Sequence, residues 1–190
     1  MERFGPYRIT RELGSGGCGT VYVARRDSGG PEVALKLLEG PFEPAEEVRF
    51  AREVAALSRL THPHVVKVYE SGTEPCPWLA MELVRGGSVA DELARSGPLP
   101  VQTAVEVGVA VADAVGAAHA AGFLHRDIKP ANVLLRRDGT PLLGDFGLAR
   151  SIDPARGLTR TGEVIGSPGF LAPEQCGSGE PNGPATDVYG

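Results

Sequence analysis

The stretch His125-Arg126-Asp127-Ile128-Lys129-Pro130-Ala131-Asn132 puts an aspartate, a lysine two positions on and an asparagine five positions on into one short segment. Such a loop can hold three groups around one phosphate. The carboxylate can take the proton of an attacking hydroxyl, the ammonium can neutralise phosphoryl oxygens, and the amide carbonyl can ligate a hard divalent cation such as Mg²⁺. Asp145, in Asp145-Phe146-Gly147, offers a second oxygen ligand. Between them, Val133–Leu135 and Pro141–Gly144 flank Arg136-Arg137-Asp138-Gly139-Thr140, and Asp-Gly is a strong hairpin signal. Paired strands there would bring Asn132 and Asp145 to neighbouring ends, as a shared metal site requires.

The elements that must position this chemistry are legible upstream. Tyr7–Leu13 alternates as a strand and runs into Gly14-Ser15-Gly16-Gly17-Cys18-Gly19-Thr20-Val21. Glycines spaced this way also occur where dinucleotides bind, but there they open a helix. Here the β-branched and aromatic run Thr20–Ala24 reads as a returning strand. A Gly-rich hairpin tip can lay its N–H groups over phosphates, and an ordinary flexible hairpin is the competing reading. Cys18 at the tip reads as a small hydrophobe. Glu32–Leu38 is a third strand with Lys36 inside an apolar run, so its ammonium is either paired or snorkels at an edge.

Pro44, Glu46 and Glu47 suit a helix start, with Val48, Ala51, Val54, Ala55 and Leu57 on an apolar face and Glu53 beside it as a partner for Lys36. Pro63 lies past that helix's end. Val65–Glu70 and Trp78–Leu83 read as two further strands. Ser88 with Asp91 forms a capping box. A long helix runs from Leu99-Pro100 to about Ala121, with Val101, Val105, Gly108, Ala112, Val115 and Ala118 on one side and Gly122 as its stop. His119 on it reads as a surface or satisfied polar residue.

At 190 residues and 42% hydrophobic content, the chain can bury a core of one or two small domains. Its net charge of −5 gives no bulk electrostatic reason to expect nucleic acid or an anionic membrane. Cys18, Cys76 and Cys176 are odd in number and lack metal spacing, which points to reduced thiols. The first residues contain no signal-type apolar run, and no stretch reads as long enough to span a bilayer. The expectation is a cytoplasmic protein, with no membrane contact from this segment.

In their order and spacing, the Gly-rich turn, Lys36, Glu53, Met81–Val84, Asp127, Asn132, Asp145-Phe146-Gly147 and Ala172-Pro173-Glu174 resemble the bacterial serine/threonine protein kinases of the eukaryotic-like type. The resemblance covers the whole chain. It implies an α+β, two-lobed fold: a small antiparallel sheet with one helix over residues 1–84, then a mainly helical lobe over 85–190. Relatives continue through further helices after Asp187, so the second lobe is expected to be incomplete, and a parent chain could be membrane-anchored beyond Gly190.

The resemblance also implies ATP and Mg²⁺ as cofactors, with Mn²⁺ as a substitute. Gly14, Ser15, Gly16, Gly17, Gly19, Val21, Ala34, Lys36, Met81, Glu82, Val84 and Leu134 would contact the nucleotide, with backbone amides of Met81–Val84 at the adenine edge. Lys36 and Glu53 would form the ion pair that holds its phosphates, with Leu57 in a hydrophobic spine. Asp127 and Lys129 would be catalytic, Asn132 and Asp145 would hold metal, and His125 would pack under Phe146. Arg126 could pair with a phosphate, Gly86-Gly87 would be the flexible joint between lobes, and Asp187 would bond back to the catalytic-loop backbone. Thr159 and Thr161 stand where relatives autophosphorylate, and Ser167 where a hydroxyl is kept near the catalytic aspartate.

Lys129-Pro130-Ala131-Asn132 fits serine/threonine specificity, and Ser88 and Ala131 imply no strong demand for arginine upstream of the target. Expected partners are protein substrates, ATP and a second kinase copy for trans-autophosphorylation. The competing reading is a catalytically silent ATP-binding fragment or scaffold, motivated by the shortened second lobe. A small-molecule phosphotransferase is disfavoured by the Ala-Pro-Glu174 segment.

Overall fold

The computed structural model describes residues 3–16, 19–38, 40, 42–146, 168–176 and 182–190. Gly17, Cys18, Gly147, Thr159, Thr161 and Ser167 lie outside the described residues. The chain divides into two units, one made of residues 3–59 and 67–83, the other of residues 60–66 and the described residues from 84 onward.

The first unit is a six-stranded antiparallel sheet with one helix. Its strands are β1 (Arg3–Phe4), β2 (Tyr7–Gly16), β3 (Gly19–Arg26), β4 (Glu32–Leu37), β5 (Val68–Gly72) and β6 (Trp78–Glu82), in the spatial order β1-β2-β3-β4-β6-β5. Strand β4 is flanked on both sides and is buried along almost all its length. Because successive side chains alternate faces, Val33, Leu35 and Leu37 join a core with Tyr7, Ala24, Trp78 and Ala80, while Ala34 and Lys36 face the other way. Tyr7 meets Trp78 edge-on, with ring centroids 5.7 Å apart.

The helix α1 (Pro44–Leu57) starts with the Glu43 N–H donating to the Glu46 carboxylate at 2.7 Å, so Glu46 caps the helix. It buries Phe50, Val54 and Leu57 and leaves Val48 53% exposed. The expected face is therefore rotated. Phe50 carries the largest apolar area in the helix, and burying it turns Val48, Ala51 and Ala55 outward.

One expected strand is also split. It was expected from Val65 but begins at Val68, because Val65 bridges to Leu143 and the Val66 N–H donates to Leu143 O at 2.9 Å, both within the second unit. A Val-Val pair suits either sheet, so only the tertiary partner decides.

The second unit contains α2 (Val89–Ser96), α3 (Val101–Ala120), a hairpin of β7 (Val133–Leu135) and β8 (Pro141–Leu143), and α4 (Pro184–Tyr189). The capping box of α2 is present: Asp91 N–H donates to Ser88 Oγ at 3.1 Å and Ser88 N–H to the Asp91 carboxylate at 2.7 Å. The Ser88 N–H and the Ser88 hydroxyl, the latter donating at 2.8 Å, hold the Asp91 carboxyl below the usual range. Gly86 and Gly87 are pinned to β7, with Gly86 N–H donating to Leu135 O and Leu135 N–H to Gly87 O, each at 2.8 Å. A Cβ on Gly86 would lie 2.3 Å from Leu135 O, so this glycine is selected by close backbone approach as well as by any need for flexibility.

Helix α3 buries Ala110, Ala114, Val115 and Ala118, whereas Val101, Val105 and Val109 are 83%, 55% and 65% exposed. Of the expected face, Val115 and Ala118 are buried and Val101, Val105, Gly108 and Ala112 are not. Alanine, valine and glycine occur all round this helix, so periodicity singles out no one stripe. The helix is long and apolar enough to cross a membrane by length and composition, with an 18-residue window at mean hydropathy 1.3, contrary to the expectation that no stretch would be. Only 22% of that window is buried.

Gly19 carries the tightest steric requirement at the sheet's rim. Its φ is +119°, and a Cβ there would lie 1.9 Å from Leu37 O. Gly19→Ala is expected to cost about 2–4 kcal/mol in urea unfolding, through positive-φ strain and displacement of β4. Gly14→Ala, where a Cβ meets no described atom within 4 Å, should stay within about 1 kcal/mol of wild type. Equal effects of the two changes would refute this packing account.

Candidate active site

In the first unit, the register aligns residues expected to meet a nucleotide. Val21 pairs with Lys36 and Val23 with Ala34 across β3 and β4, while Leu79 pairs with Lys36 and Met81 with Ala34 across β4 and β6. Directly paired residues share a face, so Val21, Ala34, Lys36 and Met81 stand together on the side away from the Tyr7–Trp78 core. Lys36 is 7% exposed. Glu53 is half-buried on α1 of the same unit. Gly14, Ser15 and Gly16 end β2, and Gly16 pairs with Gly19 across the turn. The Glu82 N–H donates to Lys67 O at 2.8 Å, so it is already used within the sheet.

In the second unit, the chemistry is built on the β7–β8 hairpin. Its turn is closed by Gly139 N–H to Arg136 O at 2.9 Å and by Thr140 N–H to the Asp138 carboxylate at 2.9 Å. At its other end Gly144 N–H donates to Asn132 O at 2.9 Å, which sets Asn132 one backbone step from Asp145. Leu134 lies on β7 and bridges to Ser88.

The loop before the hairpin is anchored from beneath. Asp187, on α4, has a fully buried side chain and accepts the N–H of His125 at 2.8 Å and of Arg126 at 2.5 Å. His119 Nε2 lies 2.8 Å from the same carboxylate. The expectation for Asp187 is met, and His119 is a satisfied polar residue whose partner is the loop's own anchor. His125 is wholly buried; its Nε2–H donates to Gly144 O at 2.8 Å, and its Nδ1 accepts the Asp127 N–H at 3.3 Å. Its ring packs on Phe146 with centroids 4.7 Å apart. Burial pushes its pKa below the ordinary histidine value, and both nitrogens are already matched in the neutral form.

Among the described residues, two that are not glycine occupy the left-handed region, Arg126 at φ 64° and Asp145 at φ 56°. Such conformations cost of order 1–3 kcal/mol each and persist where the surroundings over-determine them. Around Arg126 that determination is visible: Asp187 takes its N–H, and Gln175 Nε2 donates to its carbonyl at 2.7 Å. The same Gln175 amide accepts the Ala172 N–H at 3.0 Å, tying the Ala-Pro-Glu174 turn to the loop. Thr186 donates to Glu174 at 2.6 Å, and that bond holds the Glu174 carboxyl below its usual range. Gln175 and Thr186 carried no sequence signal for these roles, since neither belongs to a periodic stripe or a spaced cluster.

At the centre, Lys129 Nζ lies 2.8 Å from Asp127 Oδ2, and Asn132 Nδ2 donates to Asp127 Oδ2 at 2.9 Å and to Asp127 O at 2.7 Å. The Nδ2 of Asn132 is thereby committed to Asp127, so its Oδ1 is the atom that could ligate a cation. Asn132 Oδ1 and the Asp145 carboxylate are hard oxygens suited to Mg²⁺. Among the described residues no three His, Cys, Asp or Glu side chains form a metal cage. Two oxygens of this kind would leave most positions of a six-coordinate cation to other ligands, such as phosphate oxygens.

The fold is an α+β arrangement in which Asp127, Lys129 and Asn132 stand together in one anchored loop. Comparison with known proteins agrees. The family model described as "Protein kinase domain" matches residues 7–190, and the chain belongs to that family. It is 41% identical to the serine/threonine-protein kinase PkaA of Streptomyces coelicolor, over 97% of this chain and 37% of that protein. It is 38% identical to the serine/threonine-protein kinase PknL of Mycobacterium tuberculosis, over 96% of this chain and 46% of the relative. The probable serine/threonine-protein kinase PkwA of Thermomonospora curvata is 38% identical over 98% of this chain and 25% of its own length. The chain thus spans between a quarter and just under half of the relatives it matches. Members of this family generally use ATP and Mg²⁺.

The buried histidine gives a pH test. Folding holds His125 neutral, so its contribution is complete above the unfolded pKa near 6.5 and is lost as pH falls below that value. Urea-unfolding stability should fall with decreasing pH below about 6.5, by at most about 1.4 kcal/mol per unit from this residue. The slope should be smaller in His125→Gln. Identical pH slopes in the two proteins would show that His125 does not carry the effect.

Proposed function

We propose that this chain transfers the γ-phosphate of ATP to serine and threonine hydroxyls of proteins and autophosphorylates at Thr159 and Thr161. The observation that carries the reading is the Asp127 carboxylate, held by Lys129 and Asn132 in a loop whose backbone is fixed by Asp187. Asp127 would accept the hydroxyl proton as the new O–P bond forms and the bond to the ADP oxygen breaks. Lys129, 2.8 Å from Asp127, can neutralise the moving phosphoryl oxygens. Asn132 and Asp145 would hold Mg²⁺, with Mn²⁺ as a substitute, and the metal when bound would screen phosphate charge. Lys36 and Glu53 would steady the α and β phosphates, while the face bearing Val21, Ala34 and Met81 receives the adenine. Positioning and charge neutralisation then supply most of the rate.

Protein substrates are supported by the Ala172-Pro173-Glu174 segment, which Gln175 joins to the catalytic loop. A second copy of the kinase would be the partner for trans-autophosphorylation. Cytoplasmic placement suits a protein that consumes ATP. A silent scaffold has no need of an assembled aspartate, and here the aspartate is assembled.

The test is phosphosite mapping by mass spectrometry after incubation with Mg·ATP, beside Asp127→Asn. The wild type should acquire phosphate on Thr159 or Thr161, and the variant should lose at least about 10²-fold of that rate by removal of the proton acceptor. Nucleotide affinity should stay within about twofold, since Asp127 acts on the hydroxyl. Labelling of Asp127→Asn at the wild-type rate would overturn the assignment.

A further inference from the structure

The peptide that joins Arg126 to Asp127 is gripped at both of its polar ends. Its carbonyl, Arg126 O, accepts from Gln175 Nε2 at 2.7 Å, and its N–H, that of Asp127, donates to His125 Nδ1 at 3.3 Å. The preceding peptide is held by Asp187, which accepts the Arg126 N–H. A peptide is planar, so fixing its two ends sets the direction in which the Asp127 side chain leaves the backbone. Lys129 and Asn132 also bond to Asp127, but both belong to the same loop. They fix the carboxylate within the loop and leave the loop's own orientation to Asp187 and Gln175.

Gln175 stands in the short 3-10 turn Pro173–Cys176 and is half-buried. That turn is closed without its side chain, by the Gln175 N–H donating to Ala172 O at 2.9 Å. The amide is therefore available for other work, and both of its ends are used. Oε1 accepts the Ala172 N–H at 3.0 Å, and Nε2 faces the Arg126 carbonyl. One neighbour can only donate and the other can only accept, so a single orientation of the amide satisfies both. A carboxylate of the same length could keep the first bond and not the second. The carbonyl it meets belongs to a residue at φ 64°, a conformation that persists only where its surroundings hold it.

We propose that Gln175 is a positioning residue for phosphoryl transfer: through the Arg126 carbonyl it sets the peptide before Asp127, and so makes the placement of the aspartate depend on the Ala172–Cys176 turn. Without the Gln175 donor the carbonyl loses its partner, the peptide plane can turn, and Asp127 leaves its working position in a fraction of the molecules. The effect on rate rests on the catalytic reading of Asp127; the hold on the peptide does not.

The test uses three variants of the whole chain. Gln175→Met keeps the length and loses both bonds, and Gln175→Glu keeps the acceptor for Ala172 and loses the donor to Arg126. Thr10→Val loses a comparable bond in the first unit, from Thr10 Oγ1 to Val23 O at 2.9 Å. With saturating Mg·ATP and myelin basic protein as acceptor, kcat is expected to fall about three- to tenfold in Gln175→Met and at least as far in Gln175→Glu, the change that one lost neutral hydrogen bond produces. Nucleotide affinity in these variants, and kcat of Thr10→Val, should stay within about twofold of wild type. Hydrogen exchange followed by NMR reads the hold on the peptide without any transfer. The Asp127 amide should exchange about three- to tenfold faster in both Gln175 variants, whereas the Arg126 amide, bonded to Asp187, should not. Wild-type kcat in Gln175→Glu, an equal loss in Thr10→Val, or unchanged exchange at Asp127 would overturn the proposal. Equal quickening at Arg126 and Asp127 would also overturn it, since that is general loosening. A wild type that transfers no phosphate, with the exchange difference present, would overturn the catalytic reading and uphold the hold of Gln175 on Asp127.

Discussion

The carboxylate of Asp187 is the fixed point of the second unit. It is fully buried, and a buried charge is tolerated only when its lone pairs are met. They are met by the backbone of the loop that carries the chemistry, through His125 and Arg126, and by the imidazole of His119. The consequence runs from electrostatics to conformation. Arg126 can stay in the left-handed region because Asp187 and Gln175 take its N–H and its carbonyl. From that kink the chain delivers Asp127 to the side chains of Lys129 and Asn132.

A second link, through His125, joins the loop to the end of the hairpin that bears Asn132 and Asp145. Its neutral imidazole donates to Gly144 and accepts from Asp127, so one ring joins the strand that ends beside Asp145 to Asp127 itself. Burial keeps the ring uncharged, and the neutral form is the one that can both donate and accept. Gln175 adds a third connection, from the Ala-Pro-Glu174 turn to Arg126, and Thr186 closes the circuit by donating to Glu174 from the helix that carries Asp187. The loop is thus held by a few polar side chains that bond both to its backbone and to one another.

The first unit solves a different problem with strand alternation. One face of β4 joins the Tyr7–Trp78 core, and the other presents Ala34 and Lys36 with Val21 and Met81 beside them. A lysine in an apolar run is costly unless its ammonium is paired, and the register sets Lys36 between Val21 and Leu79. Helix α3 shows the reverse case, where apolar residues on all sides leave valines exposed along a groove rimmed by carboxylates.

The sequence by itself determined the short-range features. Residue types at fixed offsets specified the Asp138-Gly139 hairpin, the Ser88–Asp91 cap and the strand that returns after the glycines. The spacing of Asp127, Lys129 and Asn132 specified a phosphate-handling loop. These are legible because the physics acts within a few residues, through turn geometry, capping bonds and period-two alternation. The tertiary structure alone decided what depended on distant partners. It turned α1 onto Phe50, sent Val65 and Val66 to the second unit, and chose which side of the uniformly apolar α3 to bury. It also brought Gln175 to the loop from 49 residues away, and His119 to the loop's anchor Asp187 from 68. Nothing local marks a histidine or a glutamine for such a task, because its partner is fixed only when the chain has folded.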